Sequence, residues 1–210
     1  MYKKVSPADA ITCFSKAIEM YNDNGRFQQS ARYYKEIAEI YEADQNFEYA
    51  IDAYKSAAEI MINDNKKSAA SSCLLKVATL ASTLGNYTEA ADVFEQMGRE
   101  SMESNLTKYS ATGYLFKSIL CHMAAGDNVA YKNKIEDFKG VDYSFPTSRE
   151  CTFVEQLISA IETFDADAFS QACADFDRIT PLDPWKTAVL LKIQKVSGIS
   201  AAGDGDADVC

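Results

Sequence analysis

Apolar positions along this chain recur with helical spacing, and the recurrence itself repeats. The stretch NFEYAIDAYKSAAEI, beginning at Asn46, is echoed 40 residues later by NYTEAADVFEQMGRE, beginning at Asn86. At that period Ala10, Ala50 and Ala90 fall in register, then Phe14, Tyr54 and Phe94, then Glu19 and Glu59. A second track places Ala38, Ala78 and Ser118 in line, and Ile40, Leu80 and Leu120 after them. A small residue followed four positions later by an aromatic puts both on one helical face. The small residue lets a neighbouring helix come close and the ring fills the space beside it. Self-similarity at such a period marks an array of helix hairpins, between the tetratricopeptide and HEAT lengths.

The pattern predicts helices over 7–22, 27–42, 47–62, 68–84, 88–103 and 108–125, punctuated by Asp23-Asn24-Gly25, by the linker NDNKK, by Gly85-Asn86 and by Gly126-Asp127. Ser6 is placed to cap the first helix and Pro7 to occupy its first turn. A shorter helix over 129–138 keeps Ala130 in register, after which GVDYSFPTSRE departs from the repeat. Three further helices are predicted over 148–164, 166–178 and 184–196. The expected organisation is a hairpin array over 1–140, a helical bundle cap over 141–196 and a disordered acidic tail over 197–210.

Composition narrows this picture. A hydrophobic content of 47% in 210 residues suits a packed array with a terminal cap. The longest apolar runs are broken within a few residues, and MYKKVSPADA has no apolar core after its lysines, so neither a membrane span nor a signal peptide is expected. The net charge of −10 is unevenly placed: residues 1–80 carry 10 Lys and Arg against 11 Asp and Glu, and residues 81–210 carry 11 against 20. Such acidity speaks against a nucleic-acid binder and suggests that the two ends face different partners.

Candidate chemistry is sparse. The six cysteines, at 13, 73, 121, 151, 173 and 210, form no CxxC and sit in small apolar surroundings that suit buried thiols. The single histidine, His122, follows a cysteine inside a helix and reads as a packed residue. Asp204, Asp206 and Asp208 alternate like the start of a calcium loop, but Val209 takes the sixth position and the sequence has no following Glu. Asp175 and Asp177 read as a solvated face. No nucleotide, zinc-protease or nucleophile-elbow motif occurs. The chain is expected not to be an enzyme, with no cofactor, metal or catalytic residue.

The segments AITCFSKAIEMYNDNGRF, ARYYKEIAEIYE, AIDAYKSAAEI, CLLKVA, LTKYSATGYLFKSILCHM, FPTSREC and ITPLDPWKTAVLLKI resemble, in order and spacing, successive blocks of the alpha-SNAP/Sec17 family of soluble NSF attachment proteins. The resemblance runs from Tyr2 to Lys195. Against the family pattern this chain starts at an internal helix, so that roughly the first third, with the apolar loop that members use to touch membranes, has no counterpart in it.

The resemblance implies an all-α fold, a tetratricopeptide-like right-handed solenoid of antiparallel helix hairpins with a C-terminal helical bundle. It implies an adaptor that binds the four-helix SNARE bundle, recruits the hexameric ATPase NSF for its disassembly, and serves vesicle-mediated transport such as that between ER and Golgi. The implied location is cytoplasmic and peripheral on membranes. The family's SNARE-facing basic positions fall on Lys3, Lys4, Arg26, Arg32 and Lys76, with a further lysine replaced by Ser72. On the NSF side Glu162 matches, Ser159 and Thr163 replace other acids, and Asp165 and Asp167 lie close by. The family's acidic tail with its penultimate leucine is represented by Asp204, Asp206, Asp208 and Val209. A generic helical-repeat scaffold for another helix or peptide is the alternative that the residues alone leave open.

Overall fold

The computed structural model describes residues 6–103 and 106–199. Among them every regular element is helical: α1 Pro7–Asp23, α2 Phe27–Ala43, α3 Phe47–Asn63, α4 Lys67–Thr83, α5 Tyr87–Met102, α6 Lys108–Ala125, α7 Asn128–Val141, α8 Arg149–Thr163, α9 Ala166–Asp177 and α10 Pro184–Val196. One 3-10 turn, Phe145–Thr147, precedes α8. The chain divides into two compact units, residues 1–86 and 87–210.

In the first unit each helix packs on the next, α1 on α2, α2 on α3 and α3 on α4. Three-residue linkers recur every 20 residues, and the first three make α1 to α4 successively antiparallel. Their middle residues, Gly25, Gln45, Asn65 and Gly85, all take left-handed φ values, of 68°, 60°, 57° and 85°. Each linker closes a Schellman-type cap, in which the amide of its third residue bonds back into the preceding helix. The bonds are Arg26 N to Tyr21 O (2.8 Å), Asn46 N to Tyr41 O (2.9 Å), Lys66 N to Met61 O (2.8 Å) and Asn86 N to Ala81 O (2.9 Å). The same third residue then starts the next helix, its carbonyl accepting from Ser30, Ala50 or Ala70 in turn. One short motif thus ends one helix and begins the next.

The register residues form the interfaces. Ala38, Ala50, Ala78 and Ala90 are fully buried, as are Tyr54 and Phe94, whereas Ala10 and Phe14 on α1 are only partly covered. Phe14 packs its ring on Tyr33, which also stacks on Tyr21. Ser6 occupies the N-cap position with Pro7 behind it, but its side chain makes no cap bond; backbone bonds from Asp9 and Ala10 to the Ser6 carbonyl hold that end instead.

In the second unit α5 and α6 form a close hairpin. Gly98 permits this, since a Cβ there would lie 2.6 Å from Leu115 Cδ2. The 129–138 helix runs longer than the repeat predicts, from Asn128 to Val141, because Asp127 caps it by accepting from Val129 and Ala130. Phe116, Phe153 and Phe176 stack around a core to which α6, α7, α8, α9 and α10 all contribute. Each such fully buried side chain contributes about 1.5–3 kcal/mol relative to exposure. The LDPW block docks α10: Asp177 accepts from the Leu182 amide (2.7 Å), Asp183 caps the helix through the Lys186 amide (2.8 Å), and Trp185 meets Phe94 edge-on. Lys117 lies 5.5 Å from both rings. Asp177 is exposed and anchors the loop through the Leu182 amide, while Asp175 meets Arg178 and Gln171 at the surface.

Candidate interaction surfaces

Charge in the first unit is sorted by helix. α1 and α3 together carry two lysines against six acids, while α2 and α4 carry four basic residues against three acids, with Arg26 and Lys66 leading into them. Arg32 is exposed on α2 and Arg26 stands in the α1–α2 linker, and neither holds an ion pair among the described residues.

Lys76, on α4, is held differently. Its Nζ meets Glu42 Oε1 of α2 at 2.6 Å, and Glu42 Oε2 accepts from the hydroxyl of Tyr54 on α3 at 2.8 Å. Three helices thus meet at one carboxylate. Burial pushes the Glu42 carboxyl up, but the bonds from Lys76 and Tyr54 outweigh it and leave its pKa below the ordinary value. Burial and the Glu42 carboxylate raise the Tyr54 hydroxyl well above its usual range. Arg32 and Lys76 are exposed on α2 and α4, and Arg26 is exposed in the linker that leads into α2. Lys3 and Lys4 lie outside the described residues.

On the second unit the predicted acids gather at the α8–α9 turn. Glu162 pairs with Lys132 of α7 at 2.6 Å. Asp165 is the N-cap of α9 and accepts from the Ala168 amide at 2.8 Å; Asp167 sits in the first turn. Between Glu162 and Asp165, Phe164 takes a left-handed φ of 52° and is 75% exposed. Thr163 bonds back to the Ser159 carbonyl at 2.9 Å. Asp204, Asp206, Asp208 and Val209 lie outside the described residues.

These surfaces belong to a chain with clear relatives. The sequence profile of the family described as "Soluble NSF attachment protein, SNAP" matches residues 1–197. An alpha-soluble NSF attachment protein of Vitis vinifera is 39% identical over 194 residues, 92% of this chain and 67% of the relative. A beta-soluble NSF attachment protein of Bos taurus is 40% identical over 209 residues, 99% of this chain and 69% of the relative. A probable vesicular-fusion protein sec17 homolog of Schizosaccharomyces pombe is 36% identical over 204 residues, 97% of this chain and 70% of the relative.

The chain belongs to the soluble NSF attachment protein family. It spans about two thirds of the length of these relatives. Members of the family are adaptors without enzymatic activity. The most suspicious residue for chemistry, His122, is buried with no partner for Nε2; burial first, then the Lys134 charge, lowers its pKa and keeps the ring neutral. Cys73, Cys121 and Cys151 are buried, and burial pushes the Cys121 thiol up to about 12 and half-buried Cys173 to about 11; Cys13, contrary to the sequence expectation, is exposed. Among the described residues no cluster of ligands could hold a metal, and no helix is long and apolar enough to cross a membrane.

What sequence reasoning missed are the partners of its own site residues. Glu42 and Tyr54 behind Lys76, and Lys132 behind Glu162, carry no motif. A signal exists for the first kind. In a 40-residue hairpin repeat, alternate helices meet at separations a little under 40, and the ion pairs Glu42–Lys76, Arg99–Asp137 and Glu95–Lys134 are 34, 38 and 39 residues apart.

Proposed function

We propose that this chain is an adaptor for SNARE disassembly in vesicle-mediated transport and membrane fusion. Its basic residues Arg26, Arg32 and Lys76, with Lys3 and Lys4, meet an assembled SNARE bundle. Glu162, Asp165 and Asp167, with Asp204, Asp206, Asp208 and Val209, meet the ATPase NSF. On this reading the chain is cytoplasmic and peripheral on membranes, with residues 1–140 as the hairpin array, 141–196 as its cap and 197–210 as an acidic tail. The observation that carries it is the family match over residues 1–197. The sorting of charge adds support, because basic side chains collect on α2 and α4 while acids collect at the α8–α9 turn.

The chemistry is electrostatic complementarity at half-exposed side chains. It speeds encounter and selects orientation more than it adds affinity, and it weakens as salt rises. Arg26 and Arg32 are free to engage at once, whereas Lys76 must exchange the Glu42 carboxylate for one of the partner's. A pull-down of preassembled soluble SNARE bundle tests the assignment. Reversing Arg26 and Arg32 to Glu removes most of the binding while far-UV circular dichroism stays unchanged, since neither side chain is buried. Glu162→Gln with Asp167→Asn leaves SNARE binding intact and lowers NSF capture. Undiminished SNARE binding by the double reversal contradicts the assigned face.

A further inference from the structure

A cleft of about 610 Å³ opens in the first unit between the C-terminal halves of α1 and α3, over the start of α2. Its apolar lining is Phe27, which is 54% exposed, with Tyr34 and Ile60, both half-buried. Its polar rim includes Glu59 and Asp64. Asp64 is engaged by Lys66 at 3.1 Å, whereas Glu59 holds no ion pair among the described residues.

In the second unit an alternate pair of helices is bridged by charge. Between α5 and α7, again an alternate pair, Lys134 bonds to Glu95 at 2.7 Å, Arg99 bonds to Asp137, and the Arg99 guanidinium lies over the Phe138 ring. At the α1–α3 cleft the exposed ring is Phe27, at the start of α2.

The geometry points to this cleft as the docking groove for a helical segment of a partner protein that carries an apolar stripe flanked by lysines or arginines. Three features select that occupant. Phe27, Tyr34 and Ile60 offer an apolar lining for leucine or aromatic anchors of the kind that seat amphipathic helices in grooves. The helices on either side carry six acids against two lysines, and Glu59 is free to pair, so cationic flanks complement the rim. The described residues also hold no strand whose edge could pair with an extended backbone, so the incoming segment must satisfy its own amides, as a helix does. The groove uses α1 and α3, whose charge is opposite in sign to that of the proposed SNARE-facing pair α2 and α4, and the inference stands whether or not that pair binds SNAREs.

The test uses the full chain and three labelled synthetic peptides read by fluorescence anisotropy. One has leucines at i, i+3, i+4 and i+7 with lysines elsewhere, the second has glutamates in place of the lysines, and the third scrambles the first. The lysine helix is expected to bind wild type. Phe27→Ala weakens it at least about fivefold, the loss typical of an interface anchor. Glu59→Lys weakens it further and improves binding of the glutamate helix. Ser56→Trp, which fills the cleft without changing its charge, also abolishes binding, and circular dichroism confirms that each variant is folded. Equal binding of the scrambled or the glutamate peptide to wild type overturns the inference, as does binding that survives Ser56→Trp or is unchanged by both Phe27→Ala and Glu59→Lys.

Discussion

Glu42 is the residue whose removal the structure makes most informative. Its carboxylate is shared by Lys76 and by Tyr54, and Tyr54 is only 1% exposed, so its hydroxyl has little access to water once that acceptor is gone. Glu42→Ala leaves a buried donor unsatisfied, at about 1–3 kcal/mol, and releases a half-exposed ion pair, at about 0.5–1 kcal/mol, for a loss of about 1.5–4 kcal/mol. Glu42→Gln keeps an acceptor for Tyr54 and gives up only charge, so about 1 kcal/mol or less is expected. Adding Tyr54→Phe to Glu42→Ala removes the stranded donor, and the double variant should be no less stable than Glu42→Ala alone. The pH dependence has a definite sign. The folded carboxyl titrates below the ordinary value of 4.5, so its contribution is full above that value and is lost as pH falls through the lower folded pKa. The stability gap between wild type and Glu42→Gln therefore closes in acid. Urea unfolding followed by circular dichroism gives the magnitudes, and hydrogen exchange across α2–α4 localises them; Trp185 fluorescence does not serve, because that residue lies in the other unit. A loss below about 0.5 kcal/mol for Glu42→Ala, against the unsatisfied-donor cost above, or a full additional loss from Tyr54→Phe, refutes the three-helix junction.

Other positions give further checks. Gly98→Ala drives a Cβ to 2.6 Å from fully buried Leu115 and should cost about 1–2 kcal/mol, whereas Gly113→Ala, with nothing within 4 Å, should gain up to about 1 kcal/mol; thermal melts of the two compare overpacking with helix propensity directly. Gln45→Gly relieves a left-handed side-chain residue and should stabilise by about 0.5–1 kcal/mol in a urea titration. Glu95 resists burial through bonds from Lys134 and Arg99 that hold its carboxyl below the ordinary value, so Glu95→Gln should cost about 1–2 kcal/mol at neutral pH and progressively less as pH falls through the folded carboxylate's pKa, read by acid titration of the melting midpoint.

The helices were legible because two independent signals coincide in the first unit. The 40-residue alternation of Ala and aromatic positions marks the faces, and Gly25, the linker NDNKK and Gly85 mark the turns. The 20-residue linker motif was harder to see, because its left-handed position is Gly in two linkers but Gln45 and Asn65 in the others, so only backbone geometry unites them. The 3-10 turn at Phe145–Thr147 escaped because Phe145 is a core residue in a stretch without period. Ser6 shows a limit of residue-type reasoning: the right residue stands at the cap without using its side chain, while Asp127, Ser148, Asp165 and Asp183 do use theirs. The site was less legible than the fold. Arg32 and Lys76 stand on alternate helices, α2 and α4, and nothing in the local sequence of Lys76 points to Glu42. Asp165, read as a docking charge, also caps α9, so its substitution changes helix stability together with any NSF contact, and Glu162 must leave Lys132 to engage a partner.

Recruitment of NSF to an assembled SNARE bundle by this chain tests the account most directly. Immobilised soluble SNARE bundle is incubated with NSF in non-hydrolysing nucleotide, with the full chain, with its Arg26→Glu/Arg32→Glu variant, or with neither. The account predicts NSF retention only with the wild-type chain, falling with added salt, and lost with the variant because the chain itself no longer binds. NSF retention that is the same without the chain, or undiminished by the double reversal, contradicts it.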